Sequence, residues 1–311
     1  MTRRIEINDV SPRDGLQMER AFVPTESKIA FIDALSDCGF ARIEVTSYTS
    51  PKAIPALADA EAVMAQIRRV PGVKYTALVP NLRGMERAVD GKPDEINLVM
   101  SISETHNRAN LRMTRAQSQA VLLEVLREAT RIGLACNVSL STAFGCPFDG
   151  EIDAREVLDF AKVFADSGAA GITVCDTTGM AHPGQVGKLC DDLQKAVSIP
   201  LTIHLHNTRG MGLANALAAS QSGIDRFDAA SGGLGGCPFA PGASGNVSSE
   251  EVAHMFESMG YDTGIDVERL LGLVRTMSAL VDRTVLSQLA EAGPRLRRYS
   301  PPDWLAEKFP A

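Results

Sequence analysis

Pro200-Leu201-Thr202-Ile203-His204-Leu205-His206-Asn207-Thr208-Arg209-Gly210 reads as a short apolar strand that ends in two histidines and runs at once into a polar turn. Residues two apart in a strand share a face, so His204 and His206 project together while Leu205 points the other way into packing. Two of the chain's five histidines sit here. Two imidazoles on one face at a strand end can form half of a metal site; spacing alone leaves a hydrogen-bonded polar pair as the plainer reading. Leu213–Ser222 follows as a helix, and this strand-then-helix unit recurs through the chain.

Working outward, strands are expected at Ile5–Val10, Phe40–Tyr48, Tyr75–Pro80, Glu95–Ser103, Cys136–Ser141, Gly171–Asp176 and Arg226–Ala230. Helices are expected at Pro24–Cys38 with Thr25 as N-cap, over 57–69 and 82–90, and at Thr114–Gly133, Asp153–Ser167 and Pro183–Val197. Eight such units without a linker give an α/β chain with a parallel sheet, closed as a (β/α)8 TIM barrel. An open doubly wound sheet is the main alternative, but the first strand–helix turn carries no GxGxxG fingerprint. Additional C-terminal helices are read over 248–259 and 266–289. The expected organisation is one catalytic domain over 1–290 and a Pro-rich, extended surface tail over 291–311.

The 311 residues are 45% hydrophobic, enough for an ample core, and carry a net charge of -7. The acidic balance, with no Lys/Arg-rich block, argues against nucleic acid as a partner. No apolar run reaches the roughly 18 residues that span a bilayer. The six cysteines are scattered with no CxxC pair, which reads as reduced thiols in a cytoplasmic protein. The N-terminus enters a strand directly, without the features of a signal or transit segment.

In a barrel of this kind the active site lies at the C-terminal ends of the strands. The polar residues at those ends are Arg13 and Asp14 after the first strand and Glu44 in the second. The fifth contributes Asn137 and Ser139, the sixth Thr173 and Asp176, and the seventh the two histidines. Cys237 and Asn246 follow the eighth. A single buried carboxylate is usually a structural ion-pair partner, but several around one rim facing a histidine pair are harder to explain that way. Asp14, His204 and His206 form a mixed oxygen and nitrogen set to which Asn246 can add a carbonyl oxygen. Such a set suits a divalent cation, Mg2+ or Mn2+ first, with Zn2+ or Co2+ as other occupants.

Ser11-Pro12-Arg13-Asp14-Gly15-Leu16-Gln17, Ile43-Glu44-Val45-Thr46-Ser47, Cys175-Asp176-Thr177-Thr178-Gly179, His204-Leu205-His206 and Gly233-Leu234-Gly235-Gly236-Cys237-Pro238-Phe239-Ala240 together resemble the 3-hydroxy-3-methylglutaryl-CoA lyase family. That family falls within the metal-dependent barrel lyases and Claisen-type synthases. The cysteine loop is the specific motif, and the similarity runs from about residue 4 to residue 290. The resemblance implies cleavage of a 3-hydroxyacyl-CoA thioester to acetyl-CoA and a keto acid. It implies Asp14, His204, His206 and Asn246 as metal ligands, Arg13 as the group that stabilises the enolate, and Cys237 as the catalytic cysteine. Glu44 and Asp176 would support the metal and proton transfer, with Asp176 a candidate for the first base. Arg13, Gln17, Asn137, Ser139 and Thr173 would contact substrate, and Arg20 or Arg108 would meet CoA phosphates. A homodimer or higher homo-oligomer is implied. The chain departs from the family pattern at Asn207, where an Asp is expected, and at Asn137, where an Arg is expected. These departures point to a related acyl group, such as citramalyl. A synthase, an aldolase on a 2-oxo acid and an inactive metal-binding barrel are the competing readings.

Overall fold

The computed structural model describes residues 3–236 and 244–302. Eight strands run β1 (Glu6–Asp9), β2 (Arg42–Ser47), β3 (Lys74–Leu78), β4 (Glu95–Ser101), β5 (Ala135–Ser141), β6 (Gly171–Asp176), β7 (Leu201–Leu205) and β8 (Arg226–Ala229). They close in sequence order into a parallel barrel, with β8 returning to pair with β1. Helices follow each strand and form the outer layer, so the chain is a (β/α)8 barrel with further helices after β8.

Side-chain parity builds the wall. Along β5, Cys136, Val138 and Leu140 join the hydrophobic core beneath the helices, while Asn137, Ser139 and Ser141 line cavities inside the barrel. Along β7, Ile203 and Leu205 face outward into that core, and Thr202 and His204 face inward. The barrel interior is therefore polar, and the apolar packing that stabilises the fold lies between the strands and helices. Among the described residues no helix is long and apolar enough to cross a membrane.

Three expectations need correction. Glu104–Leu111 is a helix, inserted between β4 and the helix Arg115–Arg131, where the sequence reading places no element. Ser103 caps it by accepting the His106 N–H at 3.0 Å, a local signal within a short polar run that hydrophobic periodicity does not register. The expected helix over 266–289 is broken into Val267–Val274 and Met277–Leu280, with a separate short helix at Gln288–Ala292. Thr25 is the first helical residue, not the cap, and its hydroxyl donates to Asp59 at 2.8 Å.

Candidate active site

β1 ends in one wide π-helical turn, Ser11–Gly15, which sets Arg13 and Asp14 side by side on the rim. Gly15 is required there because a Cβ would lie 2.9 Å from Leu234 Cβ, so the loop after β8 can pack on the turn. Arg13 Nε donates to Glu44 Oε2 at 2.5 Å, and Nη1 donates to Asp14 Oδ1 at 2.6 Å. Glu44 is held from its other side by Asn97 Nδ2 at 3.0 Å. Asn97 Oδ1 in turn accepts from Asn137 Nδ2 at 2.9 Å and Ser139 Oγ at 2.8 Å.

Across the rim, His204 and His206 bring their Nε2 atoms to 3.2 Å. One ligand atom from each of Asp14, His204 and His206 lies within 4.8 Å of the others. Asn246 Nδ2 donates to Asp14 Oδ2 at 2.7 Å. Gly235, at φ +101°, lets its loop come this close, since a Cβ there would sit 2.5 Å from Asn246 Nδ2.

The electrostatics favour a cation. Asp14, Glu44 and Asp228 are all buried at this rim with Arg13, three carboxylates against one guanidinium. His206 Nδ1 and Asn246 Oδ1 are buried with no hydrogen-bond partner among the described residues. An oxygen and nitrogen donor set with excess negative charge fits a divalent ion. Burial alone would raise the Asp14 carboxyl, but Arg13 and both histidines outweigh it and hold it below the usual range. Burial raises Glu44, and its pairing with Arg13 offsets this only in part. Burial and the neighbouring His204 bring His206 down to about 4, so its ring is neutral at ordinary pH. Burial also acts to lower His204, but Asp228 and Asp14 together raise it.

This cluster sits on a cleft of about 990 Å3 that also reaches Gln17, Ser139, Lys52 and the helix Glu104–Leu111. Several expected residues lie elsewhere. Asn137 and Thr173 sit one layer deeper, bonded to each other at 2.8 Å and lining a separate cavity of about 40 Å3 towards the N-terminal mouth. Asp176 follows Cys175 in β6, and its carboxylate accepts the Met180 and Ala181 N–H groups at 2.8 and 3.1 Å. Cys175, not Asp176, lines the cleft, because Asp176 has the outward parity of Val174. Asn207 Oδ1 accepts the Gly212 N–H at 2.9 Å and so organises the start of the next helix. Arg108 is tied to Glu104 at 2.7 Å, and among the described residues Lys52 and Arg112 are the lysine and arginine that line the cleft besides Arg13. Cys237 lies outside the described residues.

Three residues escaped the sequence reading. Asp228 on β8 faces His204, and its inward parity was readable two residues before Ala230. Asn97 is the hub behind Glu44. Asp9 points outward and clamps the loop after β8, accepting from the Ser231 and Ser249 hydroxyls at 2.6 and 2.8 Å.

The whole chain is similar to known proteins. The HMGL-like family model matches residues 4–277. The hydroxymethylglutaryl-CoA lyase YngG of Bacillus subtilis is 41% identical over 274 residues, 88% of this chain and 92% of that protein. The (R)-citramalyl-CoA lyase of Chloroflexus aurantiacus is 41% identical over 304 residues, 93% of this chain and 95% of that protein. The solved structure of an HMG-CoA lyase from A. baumannii, in complex with coenzyme A and 3-methylmalate, superposes with a TM-score of 0.92 at 48% identity, covering 96% of this chain and 98% of that one. A family model that spans the barrel from its first strand past its last, and relatives that match nearly end to end, lead to one conclusion: the chain belongs to the HMGL-like family of lyases.

Proposed function

We propose that this protein is a divalent-metal-dependent lyase that cleaves 3-hydroxy-3-methylglutaryl-CoA, or a close analogue, into acetyl-CoA and a keto acid. The observation that carries the reading is the convergence of Asp14, His204 and His206 beside Arg13, at the edge of a cleft large enough for an acyl thioester. Asp14, His204, His206 and Asn246 would hold the ion. A bound Mg2+ or Mn2+ would supply Lewis acidity towards the tertiary hydroxyl of the substrate.

The chain's own groups carry the rest. The hydroxyl proton passes to solvent in the cleft, the oxygen forms a ketone as the adjacent C–C bond breaks, and the electron pair passes to the thioester as an enolate. Arg13 is fixed by bonds through Nε and Nη1, and neither involves Nη2. A permanently cationic group held this rigidly is suited to the enolate oxygen. The enolate carbon then takes a proton to give acetyl-CoA. Cys237, next to the cleft-lining Gly236, is the donor in this reading. Asp176 is not used as the first base, since both of its oxygens accept backbone N–H groups.

A second reading, a citramalyl-type substrate, is supported by the relative from C. aurantiacus, 41% identical over 93% of this chain. Incubation with each thioester, Mg2+ or Mn2+, and assay of acetyl-CoA together with the keto acid tests both. Acetoacetate from the methylglutaryl thioester at the higher kcat/KM supports the first reading, and pyruvate from the citramalyl thioester the second. Absence of acetyl-CoA from either would overturn both.

A further inference from the structure

Asp228 is a buried carboxylate at the site for which the proposed chemistry has no use. It lies on the inner face of β8 and lines the cleft. Both of its oxygens are committed. Oδ1 accepts Asn8 Nδ2–H at 2.8 Å, and Oδ2 faces His204 Nδ1 at 3.3 Å. A carboxylate oxygen accepts, so the ring donates to it through Nδ1. In the neutral ring that leaves Nε2, the atom turned towards His206 Nε2 at 3.2 Å, with the lone pair that a metal ion would take.

We infer that Asp228 is a positioning residue, fixing His204 in the Nδ1–H tautomer with Nε2 presented to the cluster, and that Asn8 holds Asp228 in place. The second histidine shows the contrast. His206 Nδ1 has no partner among the described residues, so only His204 has its tautomer and ring plane set by the scaffold. A ligating imidazole braced through its far nitrogen by a carboxylate is a recurring way to orient a metal site. Asp228 is not itself drawn into the Asp14, His204 and His206 cluster. The inference rests on the metal reading proposed above.

The test is Mn2+ titration of metal-free wild type, Asp228→Asn, Asp228→Ala and Asn8→Ala, read by the EPR signal of free Mn2+, with Tm measured on the same samples. Asp228→Asn preserves volume and can still accept from Asn8, but it places an amide N–H opposite Nδ1. The ring then has to accept at Nδ1 and carry its proton on Nε2. Mn2+ binding is expected to weaken about 10- to 100-fold, and more than in Asp228→Ala, where the ring is free to choose its tautomer. Asn8→Ala is expected to weaken binding by about threefold. A packing role alone gives the reverse order, because Ala leaves a cavity and Asn does not. Wild-type affinity in Asp228→Asn, or losses that follow Tm with Ala worse than Asn, would overturn the inference while leaving the metal reading intact. Failure of the wild type to bind Mn2+ would overturn the metal reading and this inference with it.

Discussion

The two ends of the barrel interior use the same kinds of residue to opposite effect. At the N-terminal mouth Arg42 bonds Glu6 at 3.0 Å and lies 3.7 Å from Glu95, while Arg226 meets Glu6 at 3.1 Å. Two guanidinium groups face two carboxylates, and the charges balance. At the C-terminal rim one guanidinium, Arg13, faces Asp14, Glu44 and Asp228, with the His204 imidazole beside Asp14 and Asp228. Buried charge without a counter-charge is costly, and a fold selected for stability alone would not carry that excess. The imbalance lies at the end of the barrel where we propose that a cation binds, and the balanced end reads as scaffold.

The largest effects should therefore come from the rim. Asp14→Asn removes the one anionic member of the proposed ligand set. It is expected to weaken Mn2+ binding by at least ~100-fold and to abolish turnover, with the barrel intact by circular dichroism. Retained Mn2+ affinity would break the contrast between the two ends. Arg13→Gln should behave differently. Losing the enolate's partner is expected to lower kcat by roughly 10²–10³. Yet Mn2+ should bind as well as in the wild type or better, because the rim becomes more negative. Loss of both properties together would mean that Arg13 only shapes the site.

Much of this contrast was legible before the structure, and parity explains what was not. The eight units fixed the barrel, because alternation of strand and helix leaves few closed arrangements. Arg13, Asp14, Glu44, His204 and His206 could be placed on one rim because the first two follow a strand end and the others share the inward parity of their strands. The same rule, carried further, would have turned Asp176 outward with Val174 and picked out Asp228 from Arg226-Phe227-Asp228. Depth was harder to read. Asn137 and Ser139 share a face, and only the closed barrel shows that Ser139 reaches the cleft while Asn137 lies beneath it. The π-helical turn at Ser11–Gly15 had no periodicity to announce it, and the helix Glu104–Leu111 has two charged and four uncharged polar residues among its eight. Asn207 draws notice in the sequence as a departure from the family pattern directly after His206. Its side chain serves the Gly212 N–H five residues on.

The mouth gives the complementary test. Arg42→Met leaves Glu6 with Arg226 but strips Glu95 of its nearest cation, and burial already raises the Glu95 carboxyl. The expected result is a stability loss of about 3 kcal/mol by urea titration, with kcat/KM unchanged within about twofold. A large fall in kcat/KM at unchanged Tm would show that the mouth is coupled to the chemistry and would end its reading as scaffold.

The smallest effect separates a third kind of buried carboxylate. Glu250, fully buried in the helix Ser249–Ser258, accepts the Gly232 N–H at 3.1 Å, and its Oε1 has no bond partner among the described residues. Burial pushes its carboxyl up to about 7. A carboxyl raised in the folded state contributes stability that is complete below its ordinary value near 4.5 and is lost as pH rises through about 7. Above that range the folded chain must hold an unpaired charge, at a cost of no more than about 3 kcal/mol. Glu250→Gln removes the charge and keeps the shape. Its Tm should match the wild type near pH 5 and exceed it by a few degrees near pH 8.5, with Mn2+ binding unaltered. Parallel Tm profiles across that range would show that Glu250 is ionised and compensated in the fold, placing it with the balanced mouth and not with the rim.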